Sequence, residues 1–557
     1  MTTEIELKYL LLPAEFPEVE INVAEKITEV LTEQGYAFKT EQKQLSNYYL
    51  DTPELALRKL DMGLRVRGIQ LSGKQIHFEQ TIKTSGEVIG GLHKRPEYNV
   101  DIGDDKVNLS LFPNDIWRKS EANVASLQQA ITRLFNTHFN RVTWTITIDG
   151  SIIELAFDQG IVSCDGLDKT DAIYEIELEL VSGEQQSLLV LAKLLLAHMS
   201  MRPGRLSKAA RGYALAAHFS QLKKNQGEAS AKHKDGLAQV MTIKNAPTKV
   251  IPAHEESTLE VIPAKGLDTL TAVFRGGLDF SLTKLQCKVD DYLDNSSLTH
   301  LIKINELLAL MRQGFWLFSE RLTTKQLKIR DELSYFIRSL DWLENAQHQQ
   351  SLINLSAGYR KKLISSDKLI TKLEHEQVQF PKKQDMLKLF HSERFNLLQL
   401  SILELLLSDD IEAKVSQNKV QPLMQFAQNK LTLALSNISN ELLKLESLSH
   451  NDVCSNYIEI HGLLVRSLLT GSWFSTLFNK SESAQQAINY RRPWLDIKEG
   501  ISELQTLSLL KQQLLDKPNR DNKVLAWLDN KVENLVLAME QSRLKALSVT
   551  PYWQGNY

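Results

Sequence analysis

Cysteine is scarce in this chain: Cys164, Cys287 and Cys454 are its three, far apart and without a CxxC pair. That excludes a disulfide framework and a cysteine-built zinc site, and it suits a reducing compartment. Net charge is also small. The 65 Lys and Arg against 68 Asp and Glu leave a formal charge of −3. Bulk electrostatics therefore draws the chain to neither nucleic acid nor a membrane surface, and any anion site must be a local concentration of bases. Long apolar runs are missing. The longest, around Leu188 to Met201, is broken by Lys193 and His198 and is too short to span a bilayer. Met1 to Lys8 is charged and holds no apolar core of a secretory signal. A phosphate-cradling GxxxxGK(S/T) loop is absent too, since Gly90-Gly91 followed by His93-Lys94 does not fit its spacing. A cytoplasmic protein with neither nucleic-acid nor membrane partners is expected.

What is there has two textures. At 557 residues the chain exceeds one ordinary core, so two or three domains are expected. Up to about Val181, short alternating segments punctuated by Gly, Asp and Asn read as antiparallel strands, among them Glu4 to Lys8, Gly63 to Arg67, His77 to Lys83, Val142 to Ile148, Ile152 to Phe157 and Tyr174 to Val181. Helical patterns are expected at about Pro17 to Gln34, Ser120 to Asn136 and Gly183 to Ser200. From about Ser220 to Pro252 the chain turns polar and loses periodicity, as a linker does. After Leu259 it is Leu-rich at helical spacing. A faint repeat runs through this half. Leu298 to Phe318 and Ile458 to Phe478 each place a histidine, His300 or His461, ahead of an aromatic cluster.

The charged residues of the first half recur at every second strand position, where they share one face. Glu4, Glu6 and Lys8 oppose Ile5 and Leu7, and Arg65 and Arg67 oppose Leu64 and Val66. Glu79, Thr81 and Lys83 form another such face, as do Arg95, Glu97 and Asn99. Glu154 and Asp158 share a face, as do Glu175, Glu177 and Glu179. Any one of these faces alone reads as the solvated side of an ordinary sheet. Together, turned inward in a closed barrel, they would set an acidic cluster beside a basic one. Hard divalent cations take carboxylate and phosphate oxygens together, while Arg and Lys spread the charge of the phosphates.

Glu4-Ile5-Glu6-Leu7-Lys8 resembles the ExExK signature of the CYTH, or triphosphate tunnel metalloenzyme, superfamily. Arg65-Val66-Arg67, Thr81-Ile82-Lys83, Arg95-Pro96-Glu97, Arg141, Phe157 to Gly160, Glu175-Ile176-Glu177 and Leu206-Ser207-Lys208 follow in the superfamily's order. Asp61 to Arg65, Gly90 to Val100 and Ser207 to Tyr213 resemble its bacterial inorganic triphosphatase branch. The resemblance implies an α+β domain over residues 1–218, an eight-stranded antiparallel tunnel with helices outside. It implies Mg²⁺ or Mn²⁺, two ions in all, held by Glu4, Glu6, Asp158, Glu175 and Glu177. It implies a triphosphate held by Lys8, Arg65, Arg67, Lys83, Arg95, Arg141, Lys208 and Arg211. Glu4, Glu6 and Lys8 are then the first candidates for a part in the chemistry. The second lysine of many relatives is Thr81 here. The implied activity is hydrolysis of inorganic triphosphate to pyrophosphate and phosphate. Open alternatives are a nucleoside triphosphate, thiamine triphosphate, cyclisation of ATP, or a non-catalytic polyphosphate scaffold.

Behind a linker at 219–255, residues 256–545 resemble a CHAD domain, an all-α fold of two four-helix repeats associated with polyphosphate. His300-Leu301-Ile302-Lys303, Ser339 to Asn345, His391 to Phe395 and His461 carry the resemblance. Where that family has a run of arginines, this chain has Asn305-Glu306-Leu307-Leu308, with Lys303 and Arg312 the bases nearby and Arg466 alone after His461. Polyanion affinity scales with the cations that neutralise phosphates, so weak polyphosphate binding is expected, with His300 and His461 structural.

Overall fold

Strand alternation reaches its consequence in a ring. In a computed structural model, which describes residues 2–12, 22–118, 123–232, 259–354, 359, 367–408, 422–447, 450–478, 483–515 and 522–554, ten strands form one antiparallel sheet. They are β1 (Thr2–Leu11), β2 (Phe38–Asp51), β3 (Gly63–Leu71), β4 (His77–Lys83), β5 (Glu87–Ile89), β6 (Leu92–Ile102), β7 (Thr132–Ile148), β8 (Ser151–Ser163), β9 (Asp171–Ser182) and β10 (Met201–Pro203). The order runs β1-β9-β8-β7-β2-β3-β4-β6, and β6 pairs back onto β1. Eight strands thus close the expected barrel, with β5 and β10 as short additions on β6 and β1.

Inward positions carry the charged residues, and outward positions carry the apolar ones. Leu64, Val66 and Ile82 are fully buried beneath Leu109, Phe112, Ile116 and Trp117 of the β6–β7 connection. One end of the lumen is filled by aromatic rings. Tyr49 stacks on Phe135 at 4.6 Å, and Tyr213 meets Phe135 edge-on at 5.2 Å. Tyr213 comes from helix Lys208–Lys232, and that helix sits so close that a Cβ at Gly212 would lie 2.0 Å from the Phe135 ring.

Two expectations change. Of the helix expected over Ser120 to Asn136, the described residues form Val124–Ala130, and from Thr132 the chain is strand β7, residues 120–122 lying outside the described residues. Pairing on both sides, with β2 and β8, outweighs the local helical spacing there. The polar stretch expected to be linker begins as helix, because Lys208–Lys232 continues through Ser220; the rest of that stretch, 233–255, lies outside the described residues. The helices expected at Pro17 to Gln34 and Gly183 to Ser200 are Val23–Glu33 and Gln186–Leu196, with residues 17–21 of the first outside the described residues.

By contact the chain divides into two units, 1–246 with 389–404, and 247–388 with 405–557. The second is helical throughout its described elements. Its two sequence repeats are helices that pack on each other. The aromatic clusters closing Leu298–Leu317 and His450–Phe474 merge, with Phe318 5.8 Å from Trp473 and 6.1 Å from Phe474. Trp473 donates its indole N–H to Leu310 O at 2.9 Å and lies against Gly277 and Gly314. His300 Nδ1 sits 3.0 Å from Asn295 O, and His461 Nδ1 is 3.8 Å from Glu344.

Candidate active site

Register brings the charges together before any side chain bends. Residues directly opposed in a ladder hold their Cβ atoms about 5 Å apart on one face. Arg141 opposes Asp158, and Asp158 opposes Glu175, across β7, β8 and β9. Lys8 opposes Glu177 across β1 and β9. Glu4 opposes Arg95 and Glu6 opposes His93 across β1 and β6, and Lys83 opposes Glu97 across β4 and β6.

The deep end holds an acid cluster. Asp158, Glu175 and Glu177 offer carboxylate oxygens within 4.8 Å of one another. Lys208 Nζ reaches all three, at 2.6, 2.5 and 2.8 Å. It is the first residue of its helix, whose N-terminus Ser207 caps by accepting from Ala210 N at 3.1 Å. Arg141 forks onto Asp158 at 2.7 and 2.6 Å and touches Glu177 at 2.6 Å. Lys8 lies 3.1 Å from Glu175 and 3.2 Å from Glu177. Burial alone would raise the Glu175 carboxyl, but Lys208 and Lys8 outweigh it and hold it at about 2. Glu177 is likewise held well below the usual range, against burial, by Lys208, Lys8 and Arg141. Burial pushes the Lys208 ammonium down, yet Asp158, Glu175 and Glu177 carry it above its ordinary value. Glu175 and Glu177 are therefore ionised at neutral pH.

Toward the other wall the bases predominate. Lys83 Nζ is 2.5 Å from Glu4 and 3.4 Å from Glu97, and Arg65 is 3.1 Å from Glu97. Arg67 Nε donates to the neutral Asn47 at 2.7 Å, and burial with Arg65 and Arg141 nearby lowers its guanidinium to about 10. Arg95 Nε is buried and has no acceptor among the described residues. Burial, with Lys8 and Arg95, pulls His93 down to about 4. Burial, with Glu4 and Glu154, lifts Glu179 to about 7.

A cavity of about 290 Å³ runs between these walls. Of the sequence-derived residues, Glu4, Glu6, Lys8, Arg65, Arg67, Lys83, Arg95, Arg141, Glu177 and Lys208 line it. Asp158 and Glu175 are fully buried behind that lining. Arg211 is not in the lining; it braces Glu175 at 3.1 Å while donating to Ala172 O at 2.9 Å. The cavity also takes in Glu79, Glu97, Glu154 and Glu179, acids whose alternation already put them on inward faces. Arg58 had no such signal. It enters from the short helix Ala56–Lys59, whose backbone N–H groups at Leu57 and Arg58 donate to Asp51 at 2.8 and 2.9 Å. All donors of the acid cluster are carboxylate oxygens, a set that fits a hard divalent cation.

Residues 2–213 match the CYTH domain family. A relative, the inorganic triphosphatase of Haemophilus influenzae, is 34% identical over 171 residues, which are 31% of this chain and 46% of the relative, so the match spans about half that protein's length. Among solved structures, a protein from Hippeastrum assigned as an adenylyl cyclase with a dominant triphosphatase activity is similar at 20% identity and a TM-score of 0.27, over 38% of this chain and 95% of that one. The CHAD domain of Ricinus communis is similar at 12% identity and a TM-score of 0.36, over 53% of this chain and 96% of that one. No helix among the described residues is long and apolar enough to cross a membrane. The match runs from ExExK on β1 to the helix that carries Lys208.

Proposed function

We propose that the barrel is a cytoplasmic, metal-dependent inorganic triphosphatase that releases pyrophosphate and phosphate. The observation that carries this reading is one cavity in which Glu177, backed by Asp158 and Glu175, shares the lining with Glu4 and Glu6 and with a wall of bases. Arg65, Arg67, Lys83 and Arg95 bind the phosphate oxygens, drawing on donors that are now tied to Glu97 and Asn47 or, at Arg95 Nε, have no acceptor among the described residues. Lys8, Arg141 and Lys208 neutralise the acids and turn toward phosphate when it arrives. The capped N-terminus at Ser207 adds a positive dipole end on the same side. Asp158, Glu175 and Glu177, with Glu4 and Glu6 from β1, would hold Mg²⁺ or Mn²⁺. A bound divalent cation supplies charge neutralisation on phosphate oxygens and a water of lowered pKa. Phosphoryl transfer asks mainly for positioning and electrostatics, which this lining provides without a protein nucleophile. The 34% identity to an inorganic triphosphatase supports the choice of substrate. The helical unit is read as a CHAD-like module with weak polyphosphate affinity.

The test is phosphate release from tripolyphosphate, ATP, thiamine triphosphate and pyrophosphate with each metal in turn. Tripolyphosphate is expected to be turned over fastest, and chelation to stop it. Equal or faster turnover of ATP would overturn the substrate assignment, and no metal-dependent release from any of the four would overturn the activity.

A further inference from the structure

An isolated cation in an apolar wall is costly unless something neutralises it. The helical unit solves this at Arg543, which is 2% exposed and is gripped by Glu540 and Glu446 and by Leu442 O. At Arg491 it does not. There Nη2 donates to Ser472 Oγ at 2.9 Å and Leu259 O at 3.3 Å, both neutral. Nε is buried with no acceptor among the described residues. Burial draws this guanidinium below its ordinary value, opposed only through space by Tyr552 and Glu306.

Arg491 stands in the wall of a cavity of about 170 Å³ that is otherwise mostly apolar, with Leu431, Ile438, Leu464 and Trp553 among its lining. An apolar cavity of about 150 Å³ accepts benzene, so the space suits a compact organic body. Trp494, in the same wall, adds a buried indole N–H that faces the Tyr490 hydroxyl. Ile488, 59% exposed, marks the rim.

A third observation concerns Gly471, inside helix His450–Phe474 and also in the lining. Glycine in a helix interior costs about 1 kcal/mol relative to alanine. Gly277 and Gly314 have a packing reason, since a Cβ at either would lie 2.2 or 2.1 Å from the Trp473 ring. At Gly471 a Cβ would meet nothing within 4 Å. The missing side chain leaves room in the cavity.

We propose that this cavity binds a compact amphipathic carboxylate, its head paired with Arg491 and its apolar body beside Gly471. A guanidinium whose acceptors are all neutral calls for an anionic one. The apolar lining calls for a hydrocarbon body and excludes a bare, strongly hydrated phosphate.

The test is isothermal titration calorimetry of the full chain with sodium octanoate as probe. Saturable one-site binding is expected, with 1-octanol about tenfold weaker or worse and inorganic phosphate giving no heat. Arg491→Gln should weaken octanoate about tenfold or more. Because that change also disturbs the bonds to Leu259 and Ser472, Gly471→Phe is the deciding variant. It fills open space, leaves Arg491 intact and should abolish binding while Tm holds or rises. Absence of saturable octanoate binding, equal affinity for octanoate and octanol, or undiminished binding in folded Gly471→Phe would overturn the proposal.

Discussion

The barrel and the helical unit bury charge by opposite rules. Inside the barrel, every inward strand position is available to a polar side chain while the outward neighbours build the apolar core, so ionised groups accumulate in mutually paired ranks. Lys8, Lys208 and Arg141 share three acids between them. In the helical unit, the apolar stripe of each helix is the core, as the wholly apolar cluster around Leu373, Leu507 and Leu528 illustrates. A buried charge there is an exception with its own local explanation. A closed sheet can thus concentrate chemistry along its axis without weakening its packing, whereas a helix bundle offers single sites between side chains.

The largest expected effect tests whether the lumen's acids act as a set. Glu6 lines the cavity without an ion pair among the described residues, so Glu6→Ala leaves no buried base stranded. Phosphate release should fall by more than about a hundredfold while the melting temperature is unchanged. Glu177→Ala should lose activity as well and also melt earlier, because Lys8, Lys208 and Arg141 each lose an acceptor, a loss of about 3–5 kcal/mol. A wild-type rate in Glu6→Ala at saturating metal would break the comparison at its root. Next in size, Arg65→Ala and Lys83→Ala should each raise KM for tripolyphosphate by about 1.5–3 kcal/mol, the worth of a charge-assisted bond. Unchanged KM in both would return these residues to a structural part.

The smallest effect is a titration. His93 is held near 4 by burial and by Lys8 and Arg95, below the ordinary imidazole value of about 6.5. A depressed pKa means that the unfolded chain takes up the proton first. The stability this group contributes is therefore complete above about pH 6.5 and is lost as pH falls toward 4. Proton NMR should place the His93 midpoint near 4 and move it upward when tripolyphosphate occupies the lumen beside Arg95. A midpoint near 6.5 with no response to the ligand would show that the lumen is neither dry nor cationic enough to bind as described.

Strand β4 was legible to the residue, His77 to Lys83, because its alternation is local. Strand β2 was not. The first half of Phe38–Asp51 is exposed on both sides, and only its partners β3 and β7 make it a strand. Most of the inward charges could be read from alternation plus the ordered motifs, since register is periodic. Arg58 could not, because it arrives from one helical turn held by Asp51. Nor could the aromatic filling by Tyr49, Phe135 and Tyr213, whose residues are far apart in sequence and meet only when the ring closes. The Arg491 cavity is hidden for the same reason, drawing its lining from several separated segments.

The pairing of β1 with both β9 and β6 leaves the cylinder without a seam. Widening such a lumen means tearing a ladder of backbone hydrogen bonds, where a cleft between two lobes would merely swing open. The bore is set by strand number and tilt, and it stays fixed while the side chains exchange partners. Whatever reaches the acid cluster travels lengthwise, in single file.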